Sequence, residues 1–78
     1  MNIVVYTTKT CAFCGMVKKF LTGKGLTFTA VDLDEQPHLR QDLLNRTGMM
    51  TVPIVQVNSE YVVGWNPAKL TEVINGAR

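Results

Sequence analysis

Apolar runs alternate along the chain with segments whose apolar positions recur at helical spacing. Residues 2–7 are mostly β-branched or aromatic, a composition typical of a buried strand. Between positions 13 and 21, apolar side chains recur every three or four residues, which predicts a helix that ends at Gly23. The segment from Leu26 to Leu33 predicts a second strand.

The second half of the chain has a different pattern. A second helix is predicted to begin at Pro37 and to end at Gly48. Two short strands, 54–57 and 61–63, are separated only by a polar turn, so they should pair as a hairpin. Asn66-Pro67 then provides a cap and a first helical residue for a last helix.

The predicted element order is therefore β-α-β-α-β-β-α. A strand, a helix and a second strand in succession fit a right-handed parallel crossover, and the hairpin should be antiparallel. We expect an α/β fold in which a four-stranded mixed sheet carries helices on both faces. No repeat, linker or low-complexity tract divides the sequence, so residues 1–78 are predicted to form a single domain.

Composition and charge narrow the possible functions. The chain has 78 residues, of which 46% are apolar and 18% charged, values typical of a globular domain. A net charge of +2 without a long basic cluster gives no case for a nucleic-acid or acidic-membrane partner. The sequence has neither an apolar run of about 20 residues nor a charged-then-apolar leader. We therefore expect a cytoplasmic protein that does not bind membranes.

The only two cysteines, Cys11 and Cys14, are separated by Ala12-Phe13 at the start of the first predicted helix. With Thr10 as N-cap, the first sulfur would lie at the helix N-terminus and the second one turn further on. This arrangement predicts a reversible dithiol–disulfide switch. In a reducing compartment such a pair is more often catalytic or metal-binding than structural. The metal alternative is half of a zinc site, which a dimer would complete to about four ligands.

Four segments carry a family resemblance: the strand and loop Val4–Thr10, the motif Cys11–Cys14, the triplet Thr51-Val52-Pro53, and Gly64-Trp65-Asn66-Pro67. In their order and spacing they resemble the glutaredoxin-like branch of the thioredoxin-fold family, and the resemblance covers essentially the whole chain. It implies a thioredoxin fold and thiol–disulfide oxidoreductase activity without a bound cofactor, because the dithiol itself carries the electrons.

The motifs also depart from the pattern of glutathione-dependent glutaredoxins. Those proteins usually carry Cys-Pro-Tyr-Cys, where this chain has Ala12 and Phe13 between the cysteines. They bind the glutamyl end of glutathione through backbone amides and an acid before the last helix. Here that acid is absent, and Pro67 has no N–H to donate.

The segment before the last helix is more similar to that of the NrdH-redoxins, although the chain lacks their usual Trp-Ser-Gly-Phe-Arg-Pro sequence. That resemblance implies a monomeric donor that takes electrons from thioredoxin reductase and reduces protein disulfides, such as that of ribonucleotide reductase. The alternative is a glutaredoxin reduced by glutathione. A minor alternative is a binding module in which two chains share an iron–sulfur cluster or a zinc ion.

The resemblance assigns roles to individual residues. Cys11 is the attacking thiolate, favoured by the helix N-terminus, and Cys14 resolves the mixed disulfide. Lys9 either adds positive charge beside the thiolate or a substrate carboxylate, or is a solvated loop residue. Ala12 and Phe13 are expected to flank the sulfurs as a partly exposed apolar surface.

The remaining candidate residues are expected to bind the substrate. The resemblance implies a cis peptide bond before Pro53, which would turn the backbone N–H and C=O of Val52 towards Cys11 so that an extended substrate pairs with them. Thr51 and Gly64 belong to the same predicted groove. Trp65 and Asn66 line it beside Val52, although for Trp65 core packing is an equal alternative.

Overall fold

The elements follow the order that the hydrophobic pattern predicts. The computed structural model describes residues 2–48 and 52–77. Within these ranges lie four strands and three helices: β1 (Ile3–Thr7), α1 (Cys14–Gly23), β2 (Thr29–Asp32), α2 (His38–Thr47), β3 (Ile54–Val57), β4 (Glu60–Val63) and α3 (Pro67–Ala77). None of these helices is both long enough and apolar enough to cross a bilayer.

The four strands form one mixed sheet in the order β2-β1-β3-β4. Strand β1 is central: it runs parallel to β2, with Val5 opposite Ala30, and antiparallel to β3, with Val5 opposite Val55. Strands β3 and β4 form the predicted antiparallel hairpin. The α/β architecture and the parallel crossover are thus confirmed.

The first face of the sheet carries the larger core. Because side chains alternate along a strand, Ile3 and Val5 point to the same side of β1. Helices α1 and α3 cover this face. The buried members of the core are Ile3, Val5, Val17, Leu21, Val55, Val57, Val62, Leu70, Val73 and Ile74.

The opposite face is covered by α2. Its fully buried residues are Leu33, Leu43 and Ile54, and partly buried side chains, Tyr6 and Tyr61 among them, complete the layer. Helix α2 ends as predicted, because Gly48 adopts the left-handed conformation (φ +73°) and its N–H donates to the Leu44 carbonyl at 2.8 Å. Helices therefore lie on both faces.

The prediction for the start of α1 was wrong. The helix begins at Cys14 with Phe13 as N-cap, three residues after the predicted cap Thr10. The Cys11 N–H donates to the Thr8 carbonyl at 3.2 Å, so Thr8–Cys11 is a turn. Helical bonding begins only where the Phe13 carbonyl accepts from Val17 at 3.2 Å. Cys11, which is partly exposed, thus precedes the helix.

The predicted strand 26–33 was too long, since β2 comprises only Thr29–Asp32. The Leu26 N–H donates to the Leu21 carbonyl at 3.1 Å, so this residue closes the end of α1 and is not free to pair in a sheet. Leu26 and Phe28 nevertheless pack against the core of the first face. Their apolar character, which suggested a strand, therefore reflects packing of a loop.

Candidate active site

The strand ends that lie at one edge of the sheet define the site. Strand β1 runs towards Thr7, which pairs with Asp32 at the end of parallel β2. Strand β3 runs the opposite way, so it begins at this edge, and Ile54 lies between Tyr6 and Val63. The segments that continue from these ends, 8–13, 33–37, 52–53 and 64–66, are therefore neighbours.

Cys11 and Cys14 form a disulfide at this edge. Their Cα atoms are 5.5 Å apart, within the usual range for a disulfide. Cys11 is partly exposed on the loop, whereas Cys14, the first residue of α1, is only 4% exposed. A partner can therefore reach the first sulfur more easily than the second.

The start of α1 provides partial positive charge close to the cysteine pair. The first backbone N–H groups of a helix have no helical acceptor, and together they carry a partial positive charge. The first turn of α1 contains no acidic residue to cancel that charge. A sulfur just before the helix start lies where this charge stabilises an anion.

The surface around the disulfide is apolar. Phe13 and Met16 are 50% and 48% exposed, large values for side chains of this size. Ala12 is exposed as well. The expected apolar surface at Ala12 and Phe13 is thus present, and Met16, which the sequence pattern did not single out, extends it.

The predicted groove residues lie on the adjoining segments. The Val52–Pro53 peptide bond is cis, as the resemblance implies, and Pro53 is buried while Val52 is partly exposed. The Gly64 N–H donates to the Pro53 carbonyl at 2.7 Å, which joins the two segments. Gly64 has a φ of +79°, a conformation that other residues adopt only with strain. Thr51, a predicted groove residue, lies outside the described residues.

Trp65 and Asn66 both have structural contacts. The Trp65 ring meets the Phe20 ring of α1 edge to face, with centroids 5.8 Å apart, and packs against the core of the first face. The Asn66 Oδ1 accepts a hydrogen bond from the Lys69 N–H at 3.1 Å, which confirms the predicted cap of α3. Trp65 remains partly exposed, so packing and a groove role are compatible.

Lys9 takes part in a network that the sequence pattern did not reveal. Its backbone N–H donates to Asp34 Oδ2 at 3.0 Å, while Arg40 Nη2 of α2 binds Asp34 Oδ1 at 2.7 Å. The hydrogen bond from Lys9 is the main reason why the pKa of the Asp34 carboxyl lies below its ordinary value, and Arg40 adds to the effect. The Lys9 side chain itself is exposed.

Asp34 could have been found from its position. Asp34 directly follows a strand that is predicted to lie parallel to the strand before the cysteines. Carboxyl ends of parallel strands share one edge of the sheet, so an acid there is near the cysteine loop.

The part of the chain that the structure describes contains no group of three or more His, Cys, Asp or Glu side chains able to hold a metal ion.

Known proteins are similar to this chain in both sequence and fold. The glutaredoxin family model matches residues 3–62. Glutaredoxin 3 from Escherichia coli (strain K12) is 30% identical over 63 residues, which are 81% of this chain and 76% of that protein. Glutaredoxin-like protein NrdH from Lactococcus lactis subsp. cremoris is 27% identical over 71 residues, 91% of this chain and 97% of that protein.

The fold also matches a solved glutaredoxin. The crystal structure of glutaredoxin grx-1 from Archaeoglobus fulgidus superimposes with a TM-score of 0.85 at 28% identity, covering 96% of this chain and 87% of the other. The thioredoxin fold implied by the sequence motifs is thereby confirmed. The chain belongs to the glutaredoxin family, and it is a thiol–disulfide oxidoreductase with a redox-active Cys11–Cys14 disulfide.

Proposed function

We propose that this member of the glutaredoxin family is a dithiol electron carrier that reduces protein disulfides and is itself reduced by thioredoxin reductase, as NrdH-redoxins are. The observation that carries the proposal is the start of α3. Asn66 Oδ1 is occupied by the Lys69 N–H, Pro67 has no N–H, and the first turn of the helix has no acid. The acid and one of the backbone N–H groups that bind the charged glutamyl end of glutathione in glutaredoxins are therefore missing.

The surface next to the disulfide supports a protein substrate. Phe13 and Met16 have exposed apolar surface. A protein partner would bury this surface more completely than glutathione, which is small and highly charged. An extended segment of the partner would pair with the backbone of Val52 beside the cis proline.

In the proposed cycle the Cys11 thiolate attacks one sulfur of the substrate disulfide, and the other sulfur leaves as a thiolate that takes up a proton. Cys14 then loses its proton and attacks Cys11 Sγ, and the second substrate sulfur leaves as a thiolate that takes up a proton. The substrate gains two electrons and two protons, and the Cys11–Cys14 disulfide results. Thioredoxin reductase then reduces the Cys11–Cys14 disulfide back to two thiols with electrons from NADPH.

We further propose that the carrier is monomeric and works in the cytoplasm, where thiols are kept reduced.

Exchanging the reductant tests the proposal. Oxidised protein is mixed with NADPH and either thioredoxin reductase or glutathione plus glutathione reductase, and NADPH loss is followed by absorbance. Rapid loss only with thioredoxin reductase supports the proposed donor, and the disulfide of ribonucleotide reductase is then the first acceptor to add. Rapid loss only with glutathione identifies a glutathione-dependent glutaredoxin and contradicts the argument from Pro67.

A further inference from the structure

The loop that carries Cys11 has few attachments to the rest of the fold. Its own turn is closed by the bond from the Cys11 N–H to the Thr8 carbonyl. Within residues 2–48 and 52–77, the bond from the Lys9 N–H to Asp34 is the one hydrogen bond that ties residues 8–12 to a segment other than β1 or α1. The position of the loop therefore depends strongly on a single carboxylate.

Asp34 is itself held firmly. Its backbone N–H donates to Asp32 Oδ1 at 2.8 Å, and the turn continues with a bond from the Glu35 N–H to the Asp32 carbonyl at 3.2 Å. The ion pair with Arg40 at 2.7 Å fixes the other carboxylate oxygen to α2. Both oxygens are thus directed, one towards the cysteine loop and one towards the helix.

The two cysteines are held in different ways. Cys14 belongs to α1 and is buried, so the helix fixes its position in either redox state. Cys11 is fixed covalently only while the disulfide exists. After reduction the position of Cys11 depends on the loop, and therefore on the hydrogen bond from the Lys9 N–H to Asp34. A dithiol closes to a disulfide more favourably when its two sulfurs are held close together, because less conformational entropy is lost.

We propose that Asp34 is a positioning residue for Cys11: by accepting the Lys9 N–H it holds the loop in the reduced protein and so favours closure of the Cys11–Cys14 disulfide. Arg40 orients the carboxylate but is secondary to the hydrogen bond. Without this hydrogen bond, the reduced loop samples more conformations, and the equilibrium between dithiol and disulfide shifts towards the dithiol.

The test is an equilibrium with dithiothreitol as the reference dithiol. Protein dithiol and oxidised dithiothreitol exchange to protein disulfide and reduced dithiothreitol, and both protein forms are quantified after acid quenching and alkylation. For Asp34→Ala the equilibrium constant for disulfide formation should fall about fivefold, the scale of one lost hydrogen bond. Asp34→Asn keeps an acceptor for Lys9, and Arg40→Gln keeps the whole carboxylate, so both should stay within about twofold of wild type.

Glu35→Ala is the matched control. Glu35 is the next residue and is exposed, and its carboxylate has no hydrogen bond or ion pair within the described part of the chain. An unchanged constant for Asp34→Ala, or an equal fall for Glu35→Ala, would overturn the proposal. A fall for Asp34→Asn as large as that for Asp34→Ala would also overturn it, because charge and not the hydrogen bond would then be responsible.

Thermal unfolding of both redox forms separates positioning from a general structural role. If Asp34 merely stabilises the fold, Asp34→Ala lowers the unfolding temperature of the oxidised and reduced proteins equally and leaves the equilibrium constant unchanged. If it positions Cys11, the oxidised protein is destabilised more than the reduced one, by the amount that the equilibrium constant reports, because only the reduced loop gains conformational freedom when the hydrogen bond is lost. Equal destabilisation contradicts the proposal. The test needs no knowledge of the reductase, so it stands apart from the test of the proposed function.

Discussion

At the scale of single residues, the different burial of the two cysteines leads to different mutant phenotypes. Cys11 is partly exposed, so in Cys14→Ser it should still attack a substrate disulfide, but nothing then resolves the product. We expect a stable mixed disulfide through Cys11, visible by non-reducing electrophoresis and mass spectrometry, and a loss of protein-disulfide turnover of at least about tenfold. Cys11→Ser, which removes the attacking thiolate, should form no such adduct. Full turnover by Cys14→Ser would contradict the resolving role.

Tyr6 should make stability depend on pH in alkaline solution. Burial, followed by the neighbouring Tyr61, raises the pKa of Tyr6 above its ordinary value of 10.0. The folded protein thus favours the neutral phenol, and this contribution to stability is complete below pH 10.0 and is lost as pH rises through the folded-state pKa. The free energy of unfolding, measured by urea denaturation, should therefore fall above this pH.

Tyr6→Phe is the matching variant, because it removes the ionisable group and keeps the ring. It also removes the hydrogen bond from Tyr6 to Gln56 Oε1 at 3.0 Å, so it should cost about 1 kcal/mol at neutral pH. Above pH 10.0 its stability should fall less steeply than that of wild type. Equal slopes for the two proteins would show that Tyr6 is not the group responsible.

Which residues are recognisable from sequence depends on how local their role is. The cysteine pair, Gly64 and Asn66 are identifiable because the spacing of two thiols, a turn glycine and a helix cap are properties of a few consecutive residues. The contact between Asp34 and Lys9 spans 25 positions and exists only because β1 and β2 pair in parallel. No local pattern records it, so it follows only from an explicit register for the sheet.

At the scale of elements, the cap of α3 is a stability determinant that can be measured by itself. Asn66→Ala removes the acceptor of the Lys69 N–H and should lower the free energy of unfolding by about 1 kcal/mol. Asn75→Ala is the control, since this exposed asparagine lies within the same helix and alanine has the higher helix propensity there. Equal effects in urea denaturation would show that the cap contributes nothing.

The limits of the helices were predictable where a single residue determines them. Gly48 ends α2 and Asn66 precedes α3, as their chemistry indicates. The start of α1 was not predictable in this way. Thr10 is a suitable cap by residue type, but the chain first makes the Thr8–Cys11 turn. That turn is part of the loop whose Lys9 N–H binds Asp34. A tertiary contact is therefore present where the chain does not follow the preference of Thr10 for a helix cap.

At the scale of the whole molecule, the topology creates the site. An antiparallel β3 begins where β1 ends, so the cis proline before β3 is brought to the edge that carries the cysteines. The parallel β2 brings Asp34 to that edge, and β4 brings Gly64. The order of elements could be predicted from hydrophobic periodicity, and this convergence follows from the order.

The two faces of the sheet are unequally protected, which makes the smaller core a sensitive place to test the whole fold. Within residues 2–48 and 52–77, the core beneath α2 has three buried members, and Leu43, 2% exposed, is the one that the helix contributes. Leu43→Ala should lower the free energy of unfolding by about 2–5 kcal/mol. The total free energy of unfolding of a domain of this length is only about 4–12 kcal/mol.

The adjacent Leu44 is the control: it is 38% exposed, so Leu44→Ala should lower the free energy of unfolding by less than about 1 kcal/mol. Because both faces share the central strands, unfolding of Leu43→Ala should remain one cooperative transition, with circular dichroism and tryptophan fluorescence changing together. Separate transitions would mean that α2 detaches from a sheet that α1 and α3 hold together by themselves.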